Sequence, residues 1–267
     1  MFTGFNLKGL DKEYLRGYIG AGDSMFNEQK KHVEKELDSF ILDDGSIDGE
    51  ALQNDWFPEV EADIFLSHSH GDQEIAMAFA AMLKEEFGLT AFIDSCVWGY
   101  ADNLLKKIDD VYCRNAKGDM YDYGKRNFST SHVHMMLSGA LTKMMDKAEC
   151  LMFINTPNSI TTSDVMDQTK SPWIFNEIAT SMVLRKKKPE RHFELVKAFN
   201  FEAAEKKQKL DVKYNVDLNH LTLLYTPDLS EWRHARKGER DTPGTYALDQ
   251  LYVIKRVIGF NVETYHG

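Results

Sequence analysis

The sequence has little cysteine: its three thiols, Cys96, Cys113 and Cys150, are an odd number without metal-like pairing. That argues against a disulfide scaffold and fits the reducing cytoplasm, which is the expected location. No run approaches the roughly 18 apolar residues that a membrane-crossing helix requires, so no membrane partner is expected. The opening MFTGFNLKGLDKEYL lacks a basic start ahead of an apolar block and does not read as a secretion signal. Positive charge is also short, with a formal net charge of −10. A surface of that sign repels phosphate backbones, so no nucleic-acid partner is expected. The densest basic run, Arg185-Lys186-Lys187-Lys188, reads as cations at a helix C-terminus, where they complement the dipole. No internal repeat is visible.

What the chain does have is apolar residue: 43% hydrophobic and 12% aromatic over 267 residues, enough for a sizeable core. Residues 1–60 are polar and read as a helical N-terminal extension. Within it, Asn27 to Leu42 carries Val33, Leu37, Phe40 and Ile41 at helical spacing, and Glu50 to Trp56 suggests a short helix before Pro58. From Ala62 the texture changes. Asp63-Ile64-Phe65-Leu66-Ser67 predicts a buried strand, and Asp72 to Phe87 a helix with Asp72 available as N-cap. Thr90 to Asp94 is the next strand after Gly88, so the three elements form a βαβ unit with parallel strands. A helix follows over Ala101 to Val111. Beyond a polar loop (115–128), a Met-rich helix runs from about Ser131 to Lys147. Cys150 to Asn155 is the third strand, and Ser171-Pro172 opens a helix as N-cap and first residue. A helix near Phe201 to Leu210, an edge strand near Val212 to Val216, a core strand at Leu221 to Tyr225 and a closing helix at Thr245 to Val257 complete the reading. The expected fold is α/β, a doubly wound parallel sheet of about five strands flanked by helices over 61–267.

In such a sheet, ligands bind beyond the carboxyl ends of the strands, which directs attention to Ser67 to Asp72, Asp94 to Tyr100 and the segment after Asn155. Ser67-His68-Ser69-His70-Gly71-Asp72 follows the first of these strands. Its small polar side chains and backbone N–H groups could meet a ligand at a helix N-terminus, or His68, His70 and Asp72 could hold a metal for hydrolysis, or the segment is a structural turn. Asp94-Ser95-Cys96-Val97-Trp98-Gly99-Tyr100 follows the next strand. Trp98 either covers a flat ring or packs the loop onto its own domain. Cys96 has no histidine at a defined spacing to activate it as a nucleophile. Finally, Trp173 and Glu177 lie four residues apart and share one helix face near its start.

Together these segments resemble a TIR domain, the Toll/interleukin-1 receptor family. Asp63 to Ser69 resembles its opening strand and loop, Phe92-Ile93-Asp94 its second strand, and Ser95 to Asp102 its BB loop. Ser171-Pro172-Trp173-x-x-x-Glu177-Ile178 resembles its Trp-x-x-x-Glu helix. The match covers about residues 60–188 and extends toward 258; residues 112–148 and 189–218 exceed the family's usual spacing. The resemblance implies a flavodoxin-like TIR fold and cleavage of the nicotinamide–ribose bond of NAD⁺, with Glu177 as the essential carboxylate. By the same resemblance, NAD⁺ is the substrate and no cofactor is expected. Trp173 would line the pocket, Ser67, His68 and Ser69 would meet the ribose or diphosphate, and Asp94 and Trp98 would form the opposite wall. It further implies self-association through TIR surfaces and likeness to the signal-producing TIR subunits of antiphage systems such as Thoeris. In those systems a nucleotide product activates a separate effector protein. A non-enzymatic TIR adaptor acting by homotypic assembly is the other reading that the resemblance allows.

Overall fold

In the computed structural model, which describes residues 1–29, 36–98, 101–162, 167–189, 214–237 and 243–258, the short apolar runs of the sequence become buried strands. In chain order the elements are β1 (Thr3–Lys8), α1 (Ile19–Gln29), α2 (Gly49–Trp56), β2 (Ile64–Ser67), α3 (Gln73–Met82), β3 (Ala91–Phe92), α4 (Asp94–Val97), α5 (Ala101–Tyr112) and α6 (Tyr123–Lys147). There follow β4 (Cys150–Asn155), β5 (Thr161–Thr162), β6 (Asp167–Thr169), α7 (Pro172–Val183), β7 (Tyr214–Asn215), β8 (Thr222–Tyr225), α8 (Thr226–Lys237) and α9 (Gly244–Ile254). A five-stranded sheet runs in the order β3-β2-β4-β1-β8, and every pairing is parallel. Helices of the same compact unit flank it, as expected for a doubly wound α/β protein. Among the described residues, no helix is long and apolar enough to cross a membrane.

The N-terminal segment departs from expectation. Residues 1–60 are not a helical extension: β1 lies inside the sheet, hydrogen-bonded to β4 on one side and β8 on the other. The physical reason is its alternation. Phe5 and Leu7 are fully buried on one face, while Gly4, Asn6 and Lys8 take the other. A Cβ at Gly4 would approach Leu221 Cδ2 to 2.6 Å, so the Leu221 side chain packs close over this position. Without β1 the remaining strands would run second, first, third, fourth in chain order, as a flavodoxin-like sheet does. β1 is interposed between the last two.

The expected boundary at residue 60 is corrected as well. The chain forms two compact units, one of residues 1–25, 61–93 and 145–267, the other of residues 26–60 and 94–144. In the second unit Asp48 caps α2 by accepting from the backbone N–H groups of Glu50 and Ala51. Gln53 Nε2 donates to the Met136 carbonyl of α6 at 2.7 Å. The buried Asp109 accepts from Ser129 Oγ at 2.5 Å and Arg126 Nε at 2.8 Å. Burial pushes its carboxyl up, but these hydrogen bonds outweigh that effect and hold it below the usual range. Helix α6 begins eight residues before the expected Ser131, where Asp122 Oδ1 accepts from Lys125 N–H.

In the first unit, the helix predicted from Asp72 is a 3₁₀ turn (His70–Asp72), then α3, then a wider turn over Leu83–Phe87 that Gly88 ends at φ +72°. The edge strand expected near Val212 is β7, which pairs with β6 in a separate three-stranded antiparallel sheet. The helix expected at Phe201 to Leu210 lies outside the described residues, as does the middle of the one expected from Asn27.

Candidate functional site

The site is fixed by sheet topology first. From β2 the chain continues to β3 on one side, and from β4 to β8 on the other. The crevice of a parallel sheet opens where neighbouring strands send their connections in opposite directions. Here that is between the carboxyl ends of β2 and β4, at Ser67 and Asn155.

Helix α7 supplies the acid. Ser171 Oγ caps it by accepting from Ile174 N–H, with Pro172 as the first helical residue. Its inner face is Ile174, Glu177, Ile178 and Ser181, all buried at the spacing of one helical stripe. Glu177 is only 4% exposed, and its Oε2 accepts from Ser67 Oγ at 2.5 Å. A buried carboxylate costs on the order of several kcal/mol unless partners compensate it. Such a group beside a crevice is a candidate for function. Trp173, one turn earlier on α7, is half-buried.

A second buried acid organises the strand tips. Asp72 is 2% exposed and accepts from Ser69 Oγ at 2.7 Å, Thr156 Oγ1 at 2.5 Å and Asn158 Nδ2 at 2.8 Å. The loops after β2 and β4 are thereby bound into one block. Ser159 reinforces it, accepting from Thr156 N–H at 2.9 Å. Beside this block an open pocket of about 340 Å³ is lined by Asn155, Thr156, Pro157, Ile160 and Thr161. The sequence pointed to both halves of this block, Ser67 to Asp72 and the segment after Asn155, but not to the hydrogen bonds through Asp72 that join them.

The expected site residues therefore separate. Ser67 meets Glu177. Ser69 does not: its hydroxyl donates to Asp72, which leaves its oxygen lone pairs but no proton for the expected contact with the ribose or diphosphate. His68 is half-buried and His70 exposed in the turn between them. Both Asp72 oxygens accept from hydroxyl and amide donors. Among the described residues no group of three histidine, cysteine, aspartate or glutamate side chains forms a metal cluster. Asp94 and Trp98 belong to the second unit. Asp94 opens α4, and its carbonyl accepts from Trp98 N–H at 2.9 Å. Trp98 is 4% exposed, donates its indole N–H to the Pro58 carbonyl at 2.8 Å and packs edge-on against Phe57. Its expected role as a wall over a flat ring is corrected: it packs its loop onto its own unit.

Cys96, Cys113 and Cys150 are all buried, and none is in a disulfide. Burial pushes the Cys150 thiol well above its ordinary value and raises Cys113 too, so neither is poised as a thiolate nucleophile. Against the outer end of α7, His220 Nε2 lies 2.7 Å from Ser181 Oγ. Burial lowers its pKa, and Asp217 opposes the shift. Nothing among protein families, curated proteins and solved structures matches this chain.

Proposed function

We propose that the protein is an NAD⁺-cleaving enzyme of the TIR type, with Glu177 as its catalytic carboxylate. The supporting observation is a carboxylate only 4% exposed on the inner face of α7, bonded to Ser67 at the crevice end of β2. Two isoleucines flank it on that face, where an apolar residue would serve the fold as well.

The chemistry suits one acid. As the bond from ribose C1′ to the pyridinium nitrogen breaks, its electron pair passes to the ring and nicotinamide leaves neutral. The ribose is left as an oxocarbenium-like cation, and the Glu177 carboxylate stabilises that developing charge. A neutral leaving group needs no general acid to protonate it. Water then adds at C1′ and gives ADP-ribose and a proton. Attack by the adenine or a ribose hydroxyl of the same molecule gives a cyclic isomer instead. Trp173 stacks on a ring of the substrate, and His68 meets its ribose or diphosphate. By the resemblance to antiphage TIR subunits, the product is a messenger for a separate effector protein.

The test is nicotinamide release from NAD⁺ by the purified chain, followed by chromatography with mass detection. Glu177→Gln should lower the rate by about 100-fold or more, with an unchanged thermal midpoint. A variant as fast as the wild type would remove Glu177 from the mechanism.

A second reading, assembly without catalysis, draws on α6. Phe128 and Met135 are about 70% and 67% exposed and lie seven residues apart, opposite the buried stripe of Val133, Leu137, Ala140 and Met144. Exposed apolar ridges of this kind mark interaction surfaces. Concentration-dependent self-association with no NAD⁺ loss at any protein concentration would favour this reading.

A further inference from the structure

Strand β1 brings a cation to the same face of the sheet. Residues paired across parallel strands share a face. The register therefore sets Ser67, Phe153 and Asn6 in one row, and Asn155, Lys8 and Tyr225 in the next row toward the carboxyl ends. Asn155 Nδ2 donates to Asn6 Oδ1 at 2.9 Å, which fixes both amides on that face. It is the face that α7 covers, because Ser67 reaches Glu177 there. Asn155 also lines the open pocket.

Lys8 is half-buried, and among the described residues its side chain makes no hydrogen bond or ion pair. In a chain with 42 acidic and 32 basic side chains, a strand-end cation left without a carboxylate is notable. It leaves positive potential at the mouth of a crevice, where low-dielectric walls focus it. Two strand spacings separate β2 from β1, roughly 10 Å, the scale of a ribose 5′-diphosphate. A nucleotide whose ribose meets Glu177 thus extends its phosphates toward Lys8.

We propose that Lys8 Nζ, together with the second N–H of the Asn155 amide, forms the diphosphate subsite of the nucleotide. The inference rests on the ribosyl-transfer reading of Glu177 and adds to it the strand that the family resemblance does not cover. An ammonium binds a phosphate as a point charge, and the amide adds one directional donor.

Calorimetric titration of the full chain tests it with three probes: ADP-ribose, inorganic pyrophosphate and nicotinamide riboside, which has no phosphate. Lys8→Met and Lys8→Gln should weaken ADP-ribose about tenfold, as loss of one charge-assisted hydrogen bond implies. Pyrophosphate should weaken in parallel, nicotinamide riboside should not change, and Lys8→Arg should keep most of the affinity. Salt should weaken ADP-ribose binding to the wild type more steeply than to Lys8→Gln. Equal ADP-ribose affinity in wild type and both neutral variants overturns the subsite, as does a wild type that binds no ADP-ribose. Lys8-dependent binding without any nicotinamide release would sink the enzymatic reading and leave the subsite standing. NAD⁺ cleavage with Lys8-independent binding would do the reverse.

Discussion

His220 shows how one side chain links the site's support to pH. Its ordinary value of 6.5 is lowered in the fold, chiefly by burial, with Asp217 pulling the other way. The folded state therefore holds this proton less tightly than the unfolded chain does. Its contribution to stability is complete above about pH 6.5, shrinks as pH falls from there toward the folded value, and is level below it. The thermal midpoint should fall between pH 7 and pH 5, and His220→Gln should flatten that slope. Equal slopes in the two proteins would refute the assignment. At this scale the sequence is an uneven guide. Ser67 and Ser69 look alike on paper, but Ser67 ends a strand and faces α7, whereas the chain turns at Ser69 and points its hydroxyl to Asp72. Trp98 has the composition of an exposed loop aromatic, yet its partners Pro58 and Phe57 lie about forty residues away and no local pattern reveals them. Helix α7 was legible through Ser171 and Pro172, whereas Glu177 was singled out only by the resemblance of Trp173-x-x-x-Glu177, since a lone glutamate on a helix is ordinarily a surface residue.

Two glycines of α1 make opposite predictions. A Cβ at Gly22 would lie 2.8 Å from the Met77 carbonyl carbon and oxygen and 2.9 Å from Ala78 N, so the backbones of α1 and α3 are in contact there. A Cβ at Gly20 meets nothing within 4 Å. Gly22→Ala should destabilise by about 1–3 kcal/mol through overpacking, while Gly20→Ala should stabilise by roughly 0.5–1 kcal/mol through helix propensity. Urea unfolding of both variants checks the pair, and shifts of the same sign would refute the close approach. Elements with local signals were readable: β2 and β4 as apolar runs, α7 from its cap, α5 from its stripe. Helix α6 was read eight residues short, since Tyr123 to Phe128 is exposed all round and carries no stripe; only the Asp122 cap marks its start. β1 was missed altogether. Its strand character depends on Cys150–Asn155 and Thr222–Tyr225, partners too distant for any window of sequence to include.

For the molecule as a whole, that strand decides what can be cut. Among the described residues β8 pairs only with β1 in the main sheet, and β1 also pairs with β4. The segment after it is tied down as well: Tyr18 Oη donates to Glu86 at 2.6 Å, and Arg233 of α8 donates to the same carboxylate at 2.7 Å. Burial and that hydrogen bond push the Tyr18 pKa up to about 12. Residues 61–267 alone should therefore lack cooperative unfolding and fixed near-ultraviolet dichroism, rather than behave as a trimmed domain. A fragment that melts at the intact midpoint would contradict the interposed strand. The same topology bears on synthesis. Thr3–Lys8 leaves the ribosome long before Cys150, and longer still before Thr222. At about 5–20 residues per second it waits roughly 10–40 s for both neighbours. Until β4 is made a nascent chain displays Phe5 and Leu7 with unpaired edges on both sides, and until β8 is made with one edge still unpaired, so its vulnerable moment to mispairing precedes release, and a chaperone that acts on it has to act during translation.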